Sequence, residues 1–480
     1  MEPAAARHDG GAGRSGFVRN VGLLPATAIN MTQMVGIGPF ITIPLVVATM
    51  GGPQAVIGWI AGAMLALADG LVWAELGAAM PGAGGSYIYL REAFQYRTGR
   101  LMPFLFVWTA VLFIPLIMST GVIGLVQYVG FLQPHMSYWE IHGLSIAIVL
   151  IIVAGLYREI KSVKTITVAL FAVMLVSIGL VIIASFSHFS AHLAFTYPPG
   201  SFSGSKFFAG LGSALVLTIY DYLGYDTTAY MGDEMRNPGR VIPRSIVVSI
   251  LSIMVLYLAL EIGVLGAVPW QHIVSSTSVA SLVVVGAWGR TAADAVTVLI
   301  VITAFASVFT GLLGGSRVPY NAAHDGMFFR AFGRLHPRYR FPHISLLILA
   351  AVTIIGTFFT LATVITMLTA VIVLVQAVAQ IVALTVLRRR QRDLPRPYRQ
   401  WLYPLPSLAA LVGWIYVYWS AGTKPIILSC LWLAAGIVVY LIWARVVRVW
   451  PFGPKRVWEA YREMAGLPNA GTPPPEREPI

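Results

Sequence analysis

Apolar stretches of about eighteen or more residues recur along nearly the whole chain, separated by short segments where arginine, glycine and proline gather. Runs of that length cross the hydrocarbon layer of a bilayer as helices, so the pattern predicts an all-α polytopic membrane protein. Twelve transmembrane helices are expected, at about 22–48, 54–80, 101–131, 141–157, 163–186, 207–231, 244–268, 291–316, 343–360, 363–387, 402–421 and 425–447, to within a few residues. A short amphipathic piece around Tyr89–Phe94 follows a Gly-rich turn and reads as an interfacial helix.

Two of these spans are interrupted near their centres. The first contains Gly36-Ile37-Gly38-Pro39-Phe40, where two glycines and a proline discourage continuous helix. On its own this run fits a packing kink as well as a site. The sixth contains Tyr220-Asp221-Tyr222-Leu223-Gly224-Tyr225-Asp226, with two acids beside a glycine. Broken backbone at membrane depth is tolerated only where it is buried in protein or lines a wet cavity. The breaks lie five spans apart, so the two sets of five spans enter the membrane from opposite sides. That is the signature of a LeuT-like 5+5 inverted repeat with broken helices 1 and 6 and a midplane site between them. The expected organisation is a disordered cytoplasmic N-terminus (1–16) and a transporter domain (17–450), then a cytoplasmic tail (451–480). The repeats cover about 22–186 and 207–387, and spans eleven and twelve about 402–447.

Composition agrees and charge sets the orientation. Of 480 residues, 58% are hydrophobic and 11% charged, well below the roughly 25% charged of soluble domains. The net charge of +13 would point to nucleic acid in a soluble protein. With the N-terminus and alternate connections on one side, every lysine and arginine except Lys206, Arg290 and Lys424 falls on that side. Positive charge stays in the cytoplasm, which places both termini inside the cell (plasma) membrane. An odd number of spans would destroy this segregation. Residues 1–16 carry no apolar signal-peptide core, and the single cysteine, Cys430, permits no intrachain disulfide. No metal-spaced His/Cys cluster and no histidine–nucleophile motif is found, so neither an enzyme nor a cofactor or metal is expected.

Asp69, Asp221, Asp226 and Glu261 lie inside apolar spans without a lysine or arginine in the central part of any span. An ionised carboxylate at the bilayer centre costs about 2.5–3.5 kcal/mol even on the lenient insertion scale. The acids therefore meet a cationic substrate, carry a proton or metal ion, or are neutral and hydrogen-bonded. Asp226, beside the second break, is read as holding a substrate amine or a proton. Asp221, five residues earlier, lies on another side of the helix, and Asp69 is a partner to the site. Glu261 is expected near a span end or against polar neighbours, outside the site. Tyr220, Tyr222 and Tyr225 offer aromatic faces to an organic cation, or simply pack.

With these residues placed, the chain resembles the amino acid–polyamine–organocation (APC) transporter superfamily over about residues 17–450. Three motifs carry the resemblance. They are Ala74-Glu75-Leu76-Gly77 with Pro81 and Gly84-Gly85-Ser86-Tyr87, Gly232-Asp233-Glu234-Met235-Arg236-Asn237-Pro238 with Ile242-Pro243, and Gly315-Ser316-Arg317 with His324-Asp325-Gly326. Amino acid exchangers of this kind usually have a Gly-Ser-Gly-Ile-Phe-like first break whose N–H groups hold the substrate carboxylate. Here Ile37 replaces the serine and Pro39 removes an N–H. The lysine that many sodium-independent members place in span five is missing near Phe171. The polyamine uptake branch is similar in Gly38-Pro39-Phe40, in Tyr225-Asp226, and in an acid six residues before the span-two glutamate, matching Asp69 and Glu75. Span three lacks the acid that some of that branch carry, and Asp221 is extra.

The resemblance implies that Asp69 and Asp226 bind substrate amines and that Tyr225 gates the site. The expected substrate-binding set is Gly36, Ile37, Gly38, Phe40, Asp69, Tyr222, Tyr225 and Asp226, with Asp221 and Asp69 as candidates for proton coupling. The favoured reading is a proton-linked, alternating-access importer of polyamines or related organic cations. The alternative is a transporter or exchanger of zwitterionic amino acids whose buried acids serve only protons. The expected partners are a small amine or amino acid, protons and the lipid bilayer. A disulfide-linked glycoprotein, known in some relatives, is not expected, because the loop between spans three and four has no cysteine.

Overall fold

The computed structural model of the protein describes residues 19–82, 84–157, 163–339 and 341–453. The expected N-terminal segment 1–16 and nearly all of the tail 451–480 lie outside these residues.

The chain runs as helices α1 (Leu23–Val35), α2 (Gly38–Met50), α3 (Ala55–Ala79), α4 (Ser86–Thr98), α5 (Leu101–Leu132), α6 (Tyr138–Leu156), α7 (Val163–Ser187), α8 (Ala191–Phe195), α9 (Gly204–Tyr222) and α10 (Pro238–Ala267). There follow α11 (Trp270–Ser275), α12 (Val279–Trp288), α13 (Arg290–Gly315), α14 (Arg317–His324), α15 (His343–Gly356), α16 (Leu361–Ile372), α17 (Ala379–Arg390), α18 (Leu405–Ser420) and α19 (Thr423–Val447). Among the described residues there is no strand, only an isolated bridge between Val21 and Met235. Seven helices are long and apolar enough to cross a membrane, and α1 with α2, bent by 51°, add an eighth as a broken span. The protein is a multi-pass membrane protein.

The first break falls where glycine and proline predict it. Gly36 leaves the helix at φ +30°, and Pro39 stands in the first turn of α2, where its missing N–H costs nothing. Pro39 therefore begins the second half-helix as much as it ends the first. In the sixth segment, α9 stops at Tyr222, an irregular turn crosses 223–226, and two single-turn 3-10 segments follow at Thr227–Tyr230 and Gly232–Glu234. The stretch 269–290, expected as an outer loop, instead folds into α11 and α12. The ten residues of α12 reach only about 15 Å, half of a bilayer's apolar thickness. A six-residue π-helical stretch, Val373–Val378, joins α16 to α17.

The two broken segments sit at the centre of the bundle. α1 packs along α10 and α2 along α9, while α3 packs against both α9 and α10. α19 is peripheral and largely exposed on the outside of the bundle, as expected of a helix facing lipid.

Candidate functional site

The site is built on direct contact between the breaks. Gly224 adopts φ +111°. A Cβ there would stand 2.8 Å from Gln33 Cβ, 3.0 Å from the Gln33 carbonyl carbon and 3.1 Å from the Met34 nitrogen, so only glycine lets the second break touch the end of α1. Each half-helix leaves carbonyls without an intrahelical donor. The Tyr257 hydroxyl of α10 supplies one, lying 2.9 Å from the Met34 carbonyl oxygen and 3.1 Å from that of Asp221. Asn30 completes the seam: its Oδ1 accepts from the Thr228 N–H at 3.0 Å, and its Nδ2 donates to the Thr228 hydroxyl at 3.3 Å. Asn30, Thr42, Tyr257 and Gln376 do not figure in the sequence reading. Each is an ordinary polar residue in an apolar span, and only the packing of distant spans reveals its partner.

The acids divide into two groups. Asp221, 1% exposed, accepts from the Thr42 hydroxyl at 2.5 Å, and a Cβ on Gly38 would collide with its other oxygen. That second oxygen, Oδ1, has no hydrogen-bond partner. The acid seated against the first break is thus Asp221. Asp226, two residues beyond Gly224, accepts from Gln376 Nε2 at 3.4 Å. Asp69 of α3 joins Asp226: its Oδ2 accepts from the Tyr225 hydroxyl at 2.6 Å and from the Trp73 indole at 3.1 Å, and the two carboxyls are close enough to interact electrostatically. Asp69, Tyr225 and Asp226 are therefore brought together as one cluster, and Asp221 with Gly38 as another. Among the described residues, no lysine or arginine pairs with any of these acids, and no group of three or more His, Cys, Asp or Glu could hold a metal.

The other expected residues pack around this seam. A Cβ on Gly36 would approach the Ser307 hydroxyl of α13 at 3.1 Å, and Ile37 is buried. Phe40 packs edge-on against Tyr128 of α5, with centroids 6.4 Å apart. Tyr222 donates to the Trp59 carbonyl at 3.4 Å and meets Tyr257 edge-on. Tyr220 shares a 2.6 Å hydrogen bond with Thr120.

The three sequence motifs converge at one end of the bundle. Glu75, fully buried, accepts from Arg388 along one edge of the guanidinium, from Nε at 2.8 Å and from Nη2, and from the Gln400 N–H at 2.8 Å. Arg396 approaches it at 3.6 Å. The Tyr87 hydroxyl donates to Asp325, Arg100 donates to the Gly326 carbonyl at 2.8 Å, and Gly232 lies against Pro81–Gly82.

The amino acid permease family model matches residues 21–465, nearly the whole chain. The chain belongs to the amino acid permease family. This permease is 24% identical over 455 residues to the branched-chain amino acid permease BcaP of Bacillus subtilis (strain 168), covering 90% of this chain and 94% of the relative. It is 27% identical over 443 residues to the serine/threonine exchanger SteT of the same organism, covering 89% and 97%. Over 353 residues it is 24% identical to cationic amino acid transporter 4 of Mus musculus, covering 69% of this chain and 53% of that protein. The family lies within the APC superfamily that the motifs point to, and its members are transporters rather than enzymes.

Proposed function

We propose that this permease is a secondary active transporter of amino acids and related amines that works by alternating access, with a cationic amine group as the feature it recognises. Its fold is read as twelve spans in a 5+5 inverted repeat, with α1/α2 and α9 plus its 3-10 continuation as the two broken helices and both termini cytoplasmic. The broken seam is the substrate site.

One observation carries the reading: three buried carboxylates, Asp69, Asp221 and Asp226, line the seam with no cation among the described residues to neutralise them. A substrate ammonium would supply that charge. Asp226 is the best placed to receive it, because its one side-chain donor is a long hydrogen bond from Gln376, whereas Asp69 is engaged by the side chains of Tyr225 and Trp73. Asp221 seated against Gly38 also sets a carboxyl oxygen without a donor where a substrate carboxylate would approach the first break, which favours compounds that present an amine there over those that present a carboxylate. The names of the branched-chain and serine/threonine relatives support the second reading, a carrier of zwitterionic amino acids whose acids serve protons.

A thermal-shift panel separates the two. Ligands that bind the folded state raise apparent stability by RT ln(1 + [L]/Kd). L-arginine, L-lysine or putrescine should stabilise the wild type and not Asp226→Asn. Stabilisation by L-leucine or L-serine that survives Asp226→Asn would favour the zwitterion carrier instead.

A further inference from the structure

Glu261 stands apart from the seam acids. It is 0% exposed on α10, and both carboxyl oxygens are without a hydrogen-bond partner, the only acid among the described residues left so completely unmet. Across from it on α3, the Trp59 indole N–H is the donor beside the carboxyl, but it closes no hydrogen bond of good geometry with Glu261 or with any other acceptor. An ionised carboxylate buried with no closed hydrogen bond is strongly disfavoured, so this arrangement is that of a neutral acid.

The surroundings offer no other charge. α1, α12 and the described side chains of α7 contain no titratable group, and His192 of α8 is exposed. The acids of α3 are already bonded, Asp69 by Tyr225 and Glu75 by Arg388. The 3-10 segments lie against the opposite end of α10, where the Thr228 hydroxyl meets that of Ser245, sixteen residues before Glu261. On its own helix Glu261 follows Tyr257 by four residues and so shares its face. Tyr257 packs edge-on against Trp59, faces Asp221 and Tyr222 of α9, and bonds the open carbonyls of both breaks.

We propose that Glu261 is a proton-binding site of the transport cycle, coupled to the broken seam through Trp59 and Tyr257. This rests on the transporter reading above. In the conformation described, the carboxyl holds its proton. When α10 and α3 shift so that water reaches the pair, the O–H bond breaks, the proton passes to water on that side, and the carboxylate takes the Trp59 N–H as its donor. Drawing Trp59 toward Glu261 disturbs its contact with Tyr257, and with it the bond that holds the two breaks together. Rebinding a proton from the other side restores the packing.

The test uses purified full-length protein in liposomes, with the membrane potential clamped by potassium and valinomycin. Labelled L-arginine, L-leucine, L-serine and putrescine are the probes. Glu261→Gln imitates the protonated acid in shape and charge, so it should fold with unchanged melting temperature and still exchange the probe across the membrane. It should lose accumulation driven by a pH gradient, bringing the probe only to its outside concentration. Glu261→Asp keeps a titratable group and should keep accumulation with a displaced pH profile. Equal gradient-driven accumulation by wild type and Glu261→Gln overturns the proposal, as does a wild type that exchanges probe but ignores the gradient. If Glu261→Gln fails to fold, an unaltered pH profile in Glu261→Asp overturns it. A wild type that moves none of the probes overturns the transporter reading itself.

Discussion

Gly224 is the residue on which the seam most depends. Its φ of +111° is hostile to any side chain, and the space for a Cβ is taken by Gln33 and Met34. Gly224→Ala should cost about 1–3 kcal/mol from the strained backbone alone, and more from the clash. The melting temperature of the detergent-solubilised variant checks this, and an unchanged value would mean that the two breaks are not in contact. That a glycine beside two acids marks a break was legible in the sequence, because glycine and charge are both out of place in an apolar span. Which acid meets which break was not. Asp221 and Asp226 differ by five residues on a segment whose helix ends between them, and helical spacing says nothing about direction beyond that end. Tyr257 carries no signal at all until α10 is packed against the ends of α1 and α9.

At the scale of elements, the motifs behind the family resemblance turn out to be fasteners rather than site residues. Glu75 ties the end of α3 to α17 and to the segment leading into α18, and Tyr87 ties the start of α4 to the end of α14. Glu75→Gln should leave Arg388 and Arg396 without their shared partner. Removing one side of a buried pair costs about 3–5 kcal/mol, and the lower end applies because Arg388 keeps 21% of its side chain exposed. The expected result is a marked drop in melting temperature with the ligand-binding shift retained. A variant as stable as the wild type would show that this tie carries no load. Hydropathy located the long spans well, since each must bury or bilayer-match an unbroken apolar run. It misread 269–290, where α12 is apolar but too short to register as a span. It also passed over the π-helical turn that presents Gln376 to Asp226, because no local composition distinguishes a π turn from its α-helical flanks.

For the whole molecule, the two interrupted segments meet at the centre of the bundle, and their acids have no cationic partner in the described protein. Both observations follow if the missing charge arrives with the substrate. The most direct measurement is uptake of labelled L-arginine, putrescine and L-leucine into proteoliposomes by wild type and Asp226→Asn. A charge-assisted hydrogen bond is worth about 1.5–3 kcal/mol, so saturable uptake of a cationic probe should fall by about tenfold or more in Asp226→Asn. Saturable L-leucine uptake that Asp226→Asn leaves intact, with no uptake of either cationic probe, would contradict amine recognition at the seam.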